Sequence, residues 1–143
     1  MTTEEMKEFI EKANDFENKG DFDDAEFNAK KIIEYIEDLN EKESTDFDNT
    51  TKDKGISSFY IEALLLITRC ASKRGNFNIA KEYINKTIHV AEINNRKDII
   101  AQCFNILGIV YRNQGEYDKA LENFQNSVLF YEEIENKVAI AHI

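Results

Sequence analysis

From Lys97 to Asn113 the apolar positions fall at Ile100, Phe104, Leu107, Gly108 and Tyr111. Steps of three and four put them on one face of a helix, so this segment predicts an amphipathic helix with one buried stripe. A second helix is predicted from about Tyr117 to Glu135, with its stripe at Tyr117, Ala120, Leu121, Phe124, Val128 and Tyr131. Gly115 lies between them and predicts a tight turn, because glycine takes positive φ without steric penalty. The small residues Gly108 and Ala120 allow the two helices a close crossing, with Phe104, Tyr111, Tyr117 and Phe124 filling the space around it. Nowhere do β-branched residues alternate between turn dipeptides as strands would require.

This helix–turn–helix pattern recurs. A glycine followed two residues later by an aromatic and five later by an alanine occurs at Gly20-Phe22-Ala25, Gly75-Phe77-Ala80 and Gly115-Tyr117-Ala120. Recurrence at fixed spacing marks a repeat array, whose units bury their core only by stacking.

The segment Ala101–Ile134 resembles a tetratricopeptide repeat, a helix pair of about 34 residues. Phe104, Leu107, Gly108, Tyr111, Gly115, Tyr117, Ala120 and Phe124 match its signature, while Ser127 stands where the family prefers alanine and Glu132 where it usually has proline. Ile61–Asn94 is a weaker copy, carried by Leu64, Ile67, Gly75, Phe77, Ala80 and Ile84. Met6–Leu39 is another, carried by Phe9, Ala13, Phe16, Gly20, Phe22 and Ala25. The resemblance implies an all-α, right-handed superhelix of three helical hairpins and the start of a fourth. The expected domain is single, spanning residues 1–143, with repeat one at about 6–39, an inserted loop at about 40–54, repeat two at about 56–94, repeat three at about 97–135 and the start of repeat four at about 138–143.

Spacing refines this. Gly75 and Gly115 are 40 residues apart, so Asn95–Ile100 are expected to lengthen the first helix of repeat three. Repeats of this long period resemble those of bacterial sensory and regulatory proteins, among them sensor histidine kinases and peptide-sensing transcription regulators. Gly20 and Gly75 are 55 residues apart, and the polar stretch Asn40–Lys54 reads as an exposed insertion. Val138-Ala139-Ile140-Ala141 repeats Asp98-Ile99-Ile100-Ala101 at the same 40-residue step. The expectation is a piece of a longer protein whose open edge, Val138–Ile143, is able to pair with a second copy.

Charge narrows the partners. With 18 basic against 28 acidic residues the chain carries −10, which disfavours nucleic acid and anionic membrane surfaces. No apolar run reaches the roughly 20 residues of a membrane span, and the acidic start Met1-Thr2-Thr3-Glu4-Glu5 lacks the apolar segment of a secretory signal. Cys70 and Cys103 lie in apolar helical stretches without CxxC spacing, which reads as two buried free thiols in a reducing, cytoplasmic compartment.

Catalytic signals are missing. His89 and His142 are isolated, the glycines form no phosphate loop, and Asp46-Phe47-Asp48-Asn49-Thr50 opens like a calcium loop but continues with Thr51 and Ser57 where glycine and glutamate are needed. The expectation is a non-enzyme with no cofactor and no metal.

The family resemblance further implies a concave groove lined by the first helix of each pair. In this chain those positions are Lys7, Ile10, Glu11, Asn14, Glu17 and Asn18; Glu62, Leu65, Leu66, Arg69, Ser72 and Lys73; and Gln102, Asn105, Ile106, Ile109, Arg112 and Asn113. The family's clamp for acidic chaperone tails is not reproduced. Of its positions only Asn14 matches, and Ile10, Leu66, Gln102 and Ile106 replace a lysine, an asparagine, a lysine and an arginine. What remains is an apolar strip, Leu65, Leu66, Ile106 and Ile109, beside Asn105 and edged by Arg69, Lys73 and Arg112. Two readings stay open: the strip receives a protein segment or amphipathic peptide with acidic residues, or it packs against neighbouring helices. The functional expectation is a protein- or peptide-binding module at the front of a bacterial signalling protein. A free-standing scaffold, or regulatory repeats of an enzyme whose catalytic domain lies elsewhere, are the alternatives.

Overall fold

The computed structural model describes the backbone of residues 1–42 and 54–141 and the side chains of residues 1–39 and 55–135. Among the described residues the chain is all-α, with helices α1 (Thr3–Asn18), α2 (Phe22–Lys42), α3 (Lys54–Lys73), α4 (Phe77–Ile93), α5 (Lys97–Asn113) and α6 (Tyr117–Ala141). Thr2 starts α1 by accepting the Glu5 amide on its hydroxyl oxygen at 3.1 Å, satisfying one of the donors that a helix start leaves without a partner.

Four described turns share one geometry. At Gly20, Gly75 and Gly115 φ is +82°, +77° and +80°, and between α4 and α5 Asn95 takes the same role at +54°. In each, the residue after the left-handed position donates back five residues. Asp21 reaches the Phe16 carbonyl (2.8 Å), Asn76 reaches Ala71 (2.9 Å), Arg96 reaches Ala91 (2.8 Å) and Glu116 reaches Tyr111 (2.9 Å). This closure absorbs the last carbonyls of the outgoing helix and turns the chain back on itself. Lys97–Ile100 do extend the first helix of the third pair, as expected, while Asn95 is spent on the turn.

Contacts follow chain order. The hairpins α1–α2, α3–α4 and α5–α6 each close on themselves, α2 packs on α3 and α4 on α5, and the first helices touch in sequence, α1 with α3 and α3 with α5. Among the described residues the first hairpin makes no contact with the third. That order is compatible with a helical repeat solenoid and not with a closed bundle. Helix α3 touches four others and is apolar almost all round. Tyr60, Ile61, Ala63, Leu64, Leu65, Leu66, Ile67, Cys70 and Ala71 are all buried, the composition of a helix enclosed on every side. Its buried Thr68 hydroxyl is satisfied by the Leu64 carbonyl at 2.8 Å. In the third hairpin the Ser127 hydroxyl donates to the Ala101 carbonyl at 2.7 Å, so the serine that departs from the repeat signature ties α6 to α5.

Two expectations change. Helix α6 runs without a break through Ala141, so residues 138–141 continue the second helix of repeat three instead of opening a fourth. No glycine or proline interrupts Glu135–Val138, and nothing there stops the helix. The expected α6 core stripe is also only partly buried. Ala120 is enclosed and Phe124 half-buried, but Tyr117, Leu121, Val128 and Tyr131 are exposed, because no described helix covers that side. Helix α2 runs three residues into the expected insertion, and Lys54 already belongs to α3. Residues 43–53 of that insertion, the calcium-like sequence included, and His142–Ile143 lie outside the described residues. No described helix is long and apolar enough to cross a membrane.

Candidate functional site

The side-by-side packing of α1, α3 and α5 brings their facing residues together along two adjoining clefts. The first, about 290 Å³, is lined by Ile10 and Asn14 of α1, Glu62, Leu65 and Arg69 of α3, and Arg96, Asp98, Ile99 and Gln102 at the start of α5. The second, about 380 Å³, is lined by Arg69, Ser72 and Lys73 of α3 and by Asn105, Ile106, Ile109 and Asn113 of α5. Arg69 walls both, so the clefts form one run along the α3–α5 seam.

Of the predicted strip, Leu65 and Ile106 are buried as cleft floor and Ile109 is half-buried beside them. Leu66 is 1% exposed, sits in the core and lines neither cleft. For Leu66 the packing alternative therefore describes the observed placement. Asn105 and Lys73 are exposed at the second cleft, while Arg112 is exposed but lines neither.

The basic edge is already engaged. Glu17, buried on α1, accepts a forked pair from Arg69, with Nε 2.9 Å from Oε2 and Nη2 2.9 Å from Oε1, and a further bond from Lys73 Nζ at 3.1 Å. Burial by itself would raise the Glu17 carboxyl pKa. The Arg69 guanidinium and the Lys73 ammonium outweigh it and hold the group below the usual carboxylate range. Arg69→Glu would set two carboxylates against each other, so that substitution perturbs the fold as well as the groove. Sequence reasoning placed Glu17 in the groove but missed this pairing. The available signal was position: Glu17 continues the Met6–Ile10–Ala13 stripe at the next helical step, and a charge on an apolar stripe needs a partner. At the far lip Arg96 forks onto Asp98, 3.0 Å for each bond, and the Arg96 hydrogen bonds lower the Asp98 carboxyl pKa.

The described carboxamides fall into two sets, those tied to their own helix and those with no described side-chain bond, which include the exposed Asn18, Asn78 and Asn85 as well as four in the run. Asn28, Asn94 and Asn123, elsewhere in the chain, each donate to a carbonyl four residues back on their own helix. Asn14, Gln102, Asn105 and Asn113 make no side-chain hydrogen bond to any described residue and all line the clefts. Each carries two N–H donors and a carbonyl acceptor. An apolar floor with such groups above it suits a guest that has both apolar side chains and an unpaired backbone.

Cys70 and Cys103 are buried free thiols, pushed up to about 12 by burial, with the Glu17 and Glu26 carboxylates adding to the effect at Cys70. Among the described residues no group of three His, Cys, Asp or Glu side chains is placed to hold a metal. No family model, no curated protein and no solved structure matches the chain.

Proposed function

We propose that this chain is a tetratricopeptide-type array that binds a peptide or protein segment in the groove formed by α1, α3 and α5. One observation carries this reading: four carboxamides without described side-chain partners, Asn14, Gln102, Asn105 and Asn113, stand over an apolar floor on facing first helices. A main chain laid along the seam exchanges N–H and C=O bonds with them, and its alternate side chains reach Leu65, Ile106 and Ile109. An acidic guest residue finds Lys73, which spends one of its three donors on Glu17, and the exposed Arg112 beyond the cleft. The 40-residue period supports a sensory or regulatory setting, with the occupied groove altering contacts to an output partner.

The test is a peptide-display selection against the chain, with each selected peptide then measured against Asn105→Ala/Asn113→Ala and against Ile109→Asp. Groove binding predicts losses of about tenfold or more in each, roughly 1.4 kcal/mol, with unchanged helical circular dichroism. Peptides that bind all three proteins equally would place the site elsewhere.

A further inference from the structure

Five of the seven large hydrophobic side chains exposed among the described residues lie on α6: Tyr117 (70%), Leu121 (57%), Val128 (53%), Leu129 (57%) and Tyr131 (42%). With half-buried Phe124, residues 117, 121, 124, 128 and 131 step by four, three, four and three. That is the seam spacing by which one helix receives another. Counted from the turn glycine, the same places on α4 are Phe77, Lys81, Ile84, Ile88 and Ala91, and on α2 Phe22, Glu26, Ala29, Ile33 and Ile36. All are buried or half-buried and none is exposed, and each of those helices has a following hairpin packed on it, α5 on α4 and α3 on α2. The position on α6 is thus built to be covered by a helix.

Charge states which kind. The ion pairs that link the first and second hairpins each join an acid of the first to a base of the second. Arg69 and Lys73 hold Glu17, Arg74 holds Asp23 (2.7 Å) and Glu26 (3.3 Å), and Lys86 holds Glu37 (2.9 Å). Two of those acids recur in the third hairpin. Asp118 occupies the place of Asp23 and Glu132 the place of Glu37, and both are exposed beside the apolar seam, as is Glu122. A second copy docked through the same face would set its own Asp118, Glu122 and Glu132 against these acids.

We infer that the exposed face of α6 docks an amphipathic helix of a partner polypeptide, apolar along its seam and lysine- or arginine-bearing at its flanks. This surface is separate from the first-helix groove. The apolar seam supplies affinity, and Asp118 and Glu132 select the basic flank.

The probe is a synthetic helical peptide of about 18 residues, five turns, with leucines at the four-three spacing and lysines on both flanks. A second peptide carries glutamates in place of the lysines. The lysine peptide is expected to bind the whole chain at least about tenfold more tightly than the glutamate peptide. Leu121→Glu/Val128→Glu should abolish binding, although it makes the protein more acidic, which separates seam docking from general charge attraction. Asp118→Lys/Glu132→Lys should reverse the preference, while Asn105→Ala/Asn113→Ala should change nothing. These positions are exposed, so circular dichroism should stay at the parent level. Equal affinity for the two peptides, no binding of either, or binding that survives Leu121→Glu/Val128→Glu overturns the inference. So does a free chain that sediments as a dimer and becomes monomeric in Leu121→Glu/Val128→Glu, which makes a second copy the occupant.

Discussion

Glu17 and Asn95 are single residues that each do what a different residue type does more commonly. Glu17 is a charge on an apolar stripe, and its placement is tolerable only because Arg69 and Lys73 meet it. Its carboxyl pKa is depressed in the folded chain. The stabilisation it brings is therefore complete above the unfolded carboxylate value near about 4.3, and is lost as pH falls through the lower folded value. Glu17→Gln should cost about 2 kcal/mol at neutral pH, since Arg69 loses its buried partner but reaches water in part. Urea unfolding at pH 7 and again near pH 3 should find this gap shrinking at the lower pH. A gap independent of pH would mean that the cost is packing and not charge. Asn95 stands at φ +54°, where the three equivalent turns use glycine. Asparagine tolerates that region better than other residues with a Cβ, so Asn95→Ala should lose about 1 kcal/mol while Asn95→Gly stays level with the parent or rises. Thermal unfolding of the two variants checks the order, and an Ala variant as stable as the Gly variant would deny any role to the backbone conformation.

At the scale of the helix, amphipathic stripes made α5 and α6 legible, the repeat resemblance extended the pattern to the earlier pairs, and the three turn glycines fixed where each pair folds back. Two features escaped the same reading. Helix α3 has only a narrow polar edge, Glu62, Arg69 and Lys73, in an otherwise apolar sequence, so the apolar residues beside that edge could not be divided between groove and core, and Leu66 was counted with the cleft although it is buried. Helix α6 has a stripe wide enough for two surfaces, and only contact with neighbours tells which half is covered. Phe124 marks the border between them. A Cβ placed on Gly108 would lie 2.6 Å from its ring, so the glycine is required by close crossing and not by a turn. Gly108→Ala should therefore cost about 1 kcal/mol, because overpacking of roughly 1–3 kcal/mol outweighs about 1 kcal/mol of improved helix propensity. With Phe124→Ala already in place the obstruction is gone, and the same substitution should stabilise. A double-mutant cycle reads the coupling directly; additive effects would show that the ring does not hold the crossing.

For the molecule as a whole, the contacts among the described residues, which run within hairpins and between successive ones, set the order in which it comes apart. Helix α3 is held by four neighbours, whereas the third hairpin is held from one side and leaves the α6 seam uncovered. In such an array the free energy of opening is a sum of unit and interface terms, so an end unit detaches at lower cost than the middle. The two cysteines report on this without any engineering. Cys70 lies in α3 and Cys103 in α5, both fully enclosed, and burial pushes both thiols up to about 12. Neither is a competent nucleophile until its helix is exposed. Loss of the third hairpin from the stack takes Cys103 on α5 away from α3 and α4, while Cys70 stays on α3 with α1, α2 and α4 still packed on that helix. Under native conditions a thiol reagent should therefore label Cys103 faster than Cys70, with the two rates converging as urea makes global unfolding the cheaper route. The lysine-flanked helical peptide, by covering α6, should slow Cys103 and leave Cys70 nearly unchanged. Equal labelling of both thiols at all urea concentrations would mean that the hairpins open as one cooperative body, and the sequential account of stability would fail with it.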